Sequence, residues 1–169
     1  MTEQSNTQTR IHSLNDKWNM YYHLPRNNDW SLESYPIIRS DINDMETMIL
    51  INEHIHDAVI KQCMLFIMKS GITPLWEDPQ NRTGGCFSYK VGNKYIVKIW
   101  KTMTYLLLGN SLAVKSAYNK YINGITLSPK KNFCIIKIWL STTSLQDPKI
   151  ITNIENLSQR GCLFKKHEL

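Results

Sequence analysis

No stretch of the 169-residue chain is apolar over the length needed to cross a bilayer. Residues Met1 to Arg10 are mostly Thr, Gln, Asn and Ser, without the apolar centre of a secretion signal. Cysteine is sparse and scattered. Cys63, Cys86, Cys134 and Cys162 form no CxxC pair and have no histidine at zinc-finger spacing. They read as free thiols of a reducing compartment, so a cytoplasmic location is expected and no membrane partner. His54 and His56 stand two apart and cannot share a helix face, so no metal is expected. Cys86 follows two glycines but has no local base, and no paired acid–base cluster occurs elsewhere. The sequence therefore argues against an enzyme, and it implies no cofactor. No internal repeat is visible. The tail Lys166-His167-Glu168-Leu169 looks like a retrieval signal, and Asn81 and Asn156 head glycosylation sequons. Without a secretion signal none of these is expected to act.

What the chain does have is positive charge and aromatic rings. Its net charge is +6 with a pI near 9.1, which suits a nucleic-acid or nucleotide partner. The five Trp and eight Tyr are enough that some are free for work other than packing. The length fits one domain, placed at 11–169 behind a disordered tail at 1–10, and a monomer is expected.

Periodicity and turn residues divide the chain as follows. Lys17 to His23 and Ser34 to Ser40 read as strands. A helix over Met45 to His54 is capped by Asp41 or Asn43. Cys63 to Met68 is an apolar strand, and Cys86 to Val91 alternates as a strand should. From Lys94 to Leu108 two readings compete. Gly92-Asn93 suits a hairpin, whereas Ile96, Ile99, Trp100, Met103 and Leu107 keep a helical stripe up to Gly109, which favours a helix over 95–108. Ile125 to Leu127 and Cys134 to Leu140 flank a basic turn, Ser128-Pro129-Lys130-Lys131-Asn132. Asp147, Pro148 and Gly161 frame a final helix. Strand pairs outnumber strand–helix alternations. The fold class is therefore α+β, a mostly antiparallel sheet with helices on one face and the other face open.

Everything else is organised around residues 70–87. Gly71 and Pro74 open this stretch and Gly84-Gly85 close it, with Trp76-Glu77-Asp78 between. Trp76 is either a pin holding a loop to the core or part of a recognition surface. Taken with Trp30, Trp139 and Lys130-Lys131, the second reading gains content. Two loop-borne Trp rings can clamp a flat ligand, most strongly a cationic one. A carboxylate at Glu77 can accept paired N–H bonds from a planar edge, and the lysines can hold phosphates. A flat cation with a donor edge and trailing phosphates describes an N7-methylated guanine nucleotide.

The motif Gly71-Ile-x-Pro-x-Trp76-Glu77-Asp78-x-x-Asn81-x-x-Gly84-Gly85, with Phe87 after it, resembles the eukaryotic translation initiation factor 4E family, which binds the mRNA 5′ cap. His12-x-Leu14-x-x-x-Trp18, Tyr21-Tyr22, Trp30, Asn52-x-His54-Ile55, Trp100 to Gly109 and Gly124 to Trp139 support it. The resemblance covers His12 to about Gly161. It implies a curved antiparallel sheet with three helices on the convex face and a cap-binding slot on the concave face. It makes Trp30 and Trp76 the stacking rings and Glu77 the reader of the guanine edge. Trp139 would lie against the N7 methyl, and Lys130 and Lys131 at the phosphates, with Lys137 a weaker candidate. Capped mRNA is the implied ligand. A scaffold initiation factor of the 4G type, or a dedicated equivalent, is the implied partner.

The sequence departs from the family on its partner-peptide face, formed by His12, Met45, Ile49, Lys101 and Tyr105. Ile49 stands where the family has Trp, Ser13 follows His12 where the family has Pro, and Lys101 replaces an apolar residue. These changes predict altered peptide preference and keep open a cap-binding repressor as the alternative to an initiation factor; a nucleotide-processing enzyme is the rival from another class. The chain also stops before the further C-terminal residues usual in the family. Its wealth of Ile, Asn and Lys fits an AT-rich genome, such as that of a virus or protist.

Overall fold

The structure is a computed structural model that describes residues 10–167. The expected tail at 1–10 lies, apart from Arg10, outside the described residues, as do Glu168 and Leu169. Seven strands form one curved sheet: β1 (Ser13–His23), β2 (Ile37–Asp44), β3 (Met64–Lys69), β4 (Gly85–Gly92), β5 (Ile122–Pro129), β6 (Phe133–Leu140) and β7 (Leu163–Lys166). Their order is β2-β1-β3-β5-β6-β4-β7, and every neighbouring pair is antiparallel. The helices are α1 (Met45–His54), α2 (Asp57–Gln62), the single-turn α3 (Pro79–Arg82) and α4 (Ile96–Leu108).

Side chains alternate across the pleat, and the two faces have different tasks. Leu65 and Ile67 on β3, Phe87 and Tyr89 on β4, Ile125 and Leu127 on β5, and Ile136 and Ile138 on β6 bury into one core. Trp18 and Trp100 belong to it as well. The α4 stripe of Ile96, Ile99, Trp100, Met103 and Leu107 packs into this core, which decides the 94–108 ambiguity for the helix. Asn52 Nδ2 donates to Thr104 Oγ1 at 2.8 Å and staples α1 to α4. On the opposite face Tyr21, Tyr35, Phe66, Met68, Ile72, Cys86 and Trp139 make a second, smaller cluster.

Several boundaries differ from the sequence reading. The cap of α1 is Asp44, whose side chain accepts from Thr47 N at 2.7 Å, not Asp41 or Asn43. The second strand starts later because residues 32–34 take a 3-10 turn. Helix α2 carries no periodicity long enough to be read, and it supplies a helix where 147–161 does not. There the local start signal works: Asp147 accepts from Lys149 N at 2.9 Å with Pro148 behind it. The turn ends at Ile150 because the following backbone bonds outward. Val114 N donates to Ile150 O, and Thr152 N donates to Leu112 O, both at 2.8 Å. Tertiary hydrogen bonds replace the i→i−4 ladder that a helix needs. Gly161 (φ 84°) then turns the chain into β7, which pairs with β4 at the sheet edge.

Two glycines allow backbone contacts that any side chain would block. A Cβ on Gly124 would lie 2.2 Å from Ile67 O, and one on Gly84 would lie 1.8 Å from Leu140 O. Gly124→Ala forces β5 and β3 apart at the sheet centre. It is expected to destabilise by about 3 kcal/mol or more, read as a lower urea midpoint in equilibrium unfolding.

Candidate functional site

The open face of the sheet carries a pocket of about 470 Å³. Trp30, Tyr35, Met64, Phe66, Pro74, Leu75, Trp76, Glu77, Cys86, Thr126, Ser128, Lys137, Trp139, Lys165, Lys166 and His167 line it. The volume lies in the range of small-molecule sites. Sequence positions far apart are brought together here: Trp30 and Trp76-Glu77 on loops, Trp139 on β6, and Lys165, Lys166 and His167 on and just after β7.

The loop holding Trp76 and Glu77 is anchored by Ile72 and Leu75 in the second cluster and by a set of polar bonds. Asp78 Oδ2 accepts from Thr73 N and Thr73 Oγ1, both at 2.8 Å, and Asp78 Oδ1 accepts from Gln80 N at 2.9 Å. Fully buried Asn81 donates through Nδ2 to Leu75 O at 2.8 Å and to Thr73 O at 3.1 Å. Its Oδ1 accepts from Asn123 Nδ2 at 2.9 Å. One amide thus ties both sides of the loop to β5. The result leaves Trp76 45% exposed, next to exposed Glu77. Among the described residues no hydrogen bond or ion pair engages the Glu77 carboxylate. Exposing so large a ring next to an unpaired acid favours recognition over a pinning role.

Trp30 is 55% exposed but has a rigid backing. His23, fully buried, stacks on it with ring centroids 4.4 Å apart and 6° between planes. A carbonyl oxygen only accepts, so His23 Nε2–H donates to Asp29 O at 2.7 Å. That bond fixes the residue before Trp30. His23 Nδ1 is left enclosed with no hydrogen-bond partner among the described residues. Ser31 N–H, bonded at 2.8 Å, holds the Asp29 carboxyl below the usual range. Tyr35 leans on His23 and meets Phe66 edge-on. Burial, with Glu77 and then Asp29 nearby, pushes the Tyr35 hydroxyl pKa up.

Trp139 forms part of the pocket floor, its Nε1–H donating to Thr126 Oγ1 at 3.2 Å. Around it stand the site's cations. Lys137 lies on β6, while Lys165, opposite Cys86 in the β4–β7 register, and Lys166 lie on β7. Burial raises the Cys86 thiol pKa, against the opposing pull of Lys137 and Lys165, so the thiol stays protonated at neutral pH. His167 N donates to Gly84 O at 3.0 Å, and its ring tilts against Trp139 at 4.9 Å. Among the described residues no cluster of three or more His, Cys, Asp or Glu offers a metal site.

Lys130 and Lys131 do not line this pocket. They line a separate hollow with Pro25, Lys61, Gln62, Asn93 and Pro129. Lys130 N donates to Phe133 O at 2.8 Å and closes the β5–β6 turn, so Ser128 is the last residue of β5's approach that reaches the pocket. Lys137, the weaker candidate in sequence, lines the pocket instead. Lys165, Lys166, His167 and the backing His23 were missed. The pattern Leu163-Phe164-Lys165-Lys166 after Gly161 is a short strand signal that could have placed the lysines. No local signal marks His23. On the other face, Met45 and Ile49 on α1 and Lys101 and Tyr105 on α4 share the α1–α4 side. Ile49 is 38% exposed, and His12 joins this side through its ring's ion pair with Glu46 and the Met45 N–H bond to its carbonyl at 3.0 Å.

The family model for eukaryotic initiation factor 4E matches residues 13–167. A homologue of eukaryotic translation initiation factor 4E from Acanthamoeba polyphaga mimivirus is 42% identical over 62 residues, covering 37% of this chain and 23% of that protein. The factor 4E of Candida glabrata is 25% identical over 163 residues, covering 92% of this chain and 71% of that protein. The strongest sequence matches span only 23–33% of the relatives' own length. Among solved structures, a schistosome eIF4E complexed with m7GpppA and 4E-BP is similar at TM-score 0.69 and 26% identity, over 78% of this chain and 73% of that one.

Asn81→Ala removes the amide that ties the Trp76 loop to β5, strips the Thr73 carbonyl of its partner, and leaves the Leu75 carbonyl with Asp78 N alone and the Asn123 amide with Gln80 O alone. A loss of about 3 kcal/mol in urea unfolding is expected, whereas Gln80→Ala, at an exposed side chain, should change stability little.

Proposed function

The chain belongs to the eukaryotic initiation factor 4E family, and we propose that it binds the 7-methylguanosine 5′ cap of mRNA and recruits capped mRNA for translation initiation in the cytoplasm. The observation that carries this reading is the meeting, in one pocket, of two half-exposed Trp rings and an unpaired carboxylate. A methylated guanine is cationic and flat. Sandwiched between Trp30 and Trp76, it gains about 0.5–2 kcal/mol per ring, more as water leaves. Glu77 accepts from the base's N–H edge in paired, charge-assisted bonds. Trp139 meets the methyl end. His23 keeps the Trp30 ring from turning away, so little freedom is lost on binding.

The phosphates run toward Lys137, Lys165 and Lys166, which act as point charges rather than as the planar forks an Arg would offer. No step in this reading is catalytic, and the domain works as a single unit over 11–169. The α1–α4 side, with His12, Met45, Ile49, Lys101 and Tyr105, takes a helical peptide from a scaffold of the 4G type or a dedicated equivalent. A schistosome relative was solved together with 4E-BP, which supports a peptide partner. The exposed Ile49 and the charge of Lys101 favour a partner whose helix differs from the usual one.

Intrinsic Trp fluorescence titrated with methylated and unmethylated guanosine triphosphate tests the clamp. The methylated nucleotide should quench strongly and the unmethylated one weakly. Trp30→Ala and Trp76→Ala should each weaken methylated-nucleotide binding roughly tenfold or more and erase the preference. Equal quenching by both nucleotides, or turnover of either, would overturn the reading.

A further inference from the structure

His167 is the described pocket residue nearest the end of the chain, and its two ring nitrogens have different fates. Nδ1 lies 2.7 Å from Asn81 O. A carbonyl can only accept, so Nδ1 carries the hydrogen and Nε2 is left as the basic atom. Nε2 has no hydrogen-bond partner among the described residues, and the ring lines the pocket. Its neighbours explain its state when the pocket is empty. Half burial, then Lys137 and Lys165, hold its pKa below the ordinary histidine value, with the Asn81 carbonyl pulling the other way. The remaining titratable groups of the pocket are Cys86, whose thiol stays protonated, Lys166, Tyr35 against His23 and Phe66, and Glu77 next to Trp76.

We propose that His167 is a phosphate-binding residue that takes a proton from solvent onto Nε2 when the phosphate chain of the cap enters beside Lys137 and Lys165. The inference rests on the cap-binding reading and adds a group and a linked proton to it. The anionic chain reverses the sign of the local field. Two lysines that repel an imidazolium in the empty pocket become partners of the same phosphates once these arrive. The protonated ring then donates Nε2–H to a phosphate oxygen while Nδ1–H stays on Asn81 O. It also sits as a cation against the Trp139 ring, 4.9 Å away. No bond breaks, and one proton moves from water to the protein.

The sign follows from the direction of the shift. A pKa that is low in the free protein and raised by the ligand means that the ligand binds with proton uptake, so affinity rises as pH falls. A single linked proton changes affinity by at most about tenfold per pH unit. The effect should appear between pH 6 and 8, and only with ligands that carry the phosphate chain.

The test is titration calorimetry of the full chain near pH 6.5 in buffers of different ionisation enthalpy, with m7GpppG and with the m7G nucleoside. The dinucleotide has no terminal phosphate to titrate, and any proton exchanged by the base itself appears with both ligands. Expected is extra proton uptake with m7GpppG over the nucleoside. A several-fold fall in the affinity ratio of the two ligands should follow from pH 6 to pH 8. His167→Asn keeps a donor for the Asn81 carbonyl but has no titrating nitrogen. It should bind m7GpppG with no extra uptake and a flat ratio. Equal proton counts for the two ligands in the wild-type chain overturn the proposal, whatever the variant does, and so does a difference that persists in His167→Asn. If neither ligand binds, the cap-binding reading itself fails, and the inference with it.

Discussion

A half-exposed tryptophan beside an exposed glutamate does little to fix the conformation of its own loop. Ile72 and Leu75 pack it against the sheet, and the buried amide of Asn81 sets its conformation. Its nitrogen spans the carbonyls of Thr73 and Leu75, its oxygen takes Asn123 from β5, and its own carbonyl receives His167 from the end of the chain. In a buried setting each of these bonds is costly to leave unmade, so the loop has one arrangement and not several. The close backbone approach that Gly84 permits keeps the loop against β6. Pocket, loop and C-terminal strand therefore stand or fall together.

The sheet separates stability from recognition. Its helix-covered face holds the large apolar residues that fold the chain, Trp100, Phe87 and Ile138 among them. Its other face holds a smaller cluster whose members also line the pocket: Tyr35, Phe66, Cys86 and Trp139. Strand alternation makes this possible, because neighbouring residues on β6 serve opposite faces. Ile136 and Ile138 belong to the core, while Lys137 and Trp139 belong to the site. A one-residue slip of that strand would empty the site and bury a lysine.

The parts of the site legible in sequence are those whose meaning is local. Trp76-Glu77 in a Gly- and Pro-bounded loop, and Trp30 after an Asn- and Asp-rich turn, declare themselves as rings that a core does not claim. The helical stripe of α4, the apolar run of β3 and the alternation of β4 are local too, each a property of near neighbours. What was not legible shares a cause. Asp147 and Pro148 start a turn correctly, but whether it grows is decided by carbonyls and amides at 111–114, far away in sequence. Lys130 and Lys131 sit on the expected hairpin, yet the turn carries them past the pocket into another hollow.

The sequence by itself determined which rings and which carboxylate stand out from the core, because these are defined by residue type and a short motif, and it determined the fold class, because pleat and helix periods are properties of near neighbours. Only the tertiary structure decided which cations line the pocket and what backs Trp30. Lys165 and Lys166 reach the pocket through the pairing of β7 with β4, and His23 backs Trp30 through a stacking geometry that no spacing encodes. Charge at a site depends on which distant segments a sheet brings side by side, and that is set by register and packing over the whole chain rather than by any one stretch of it.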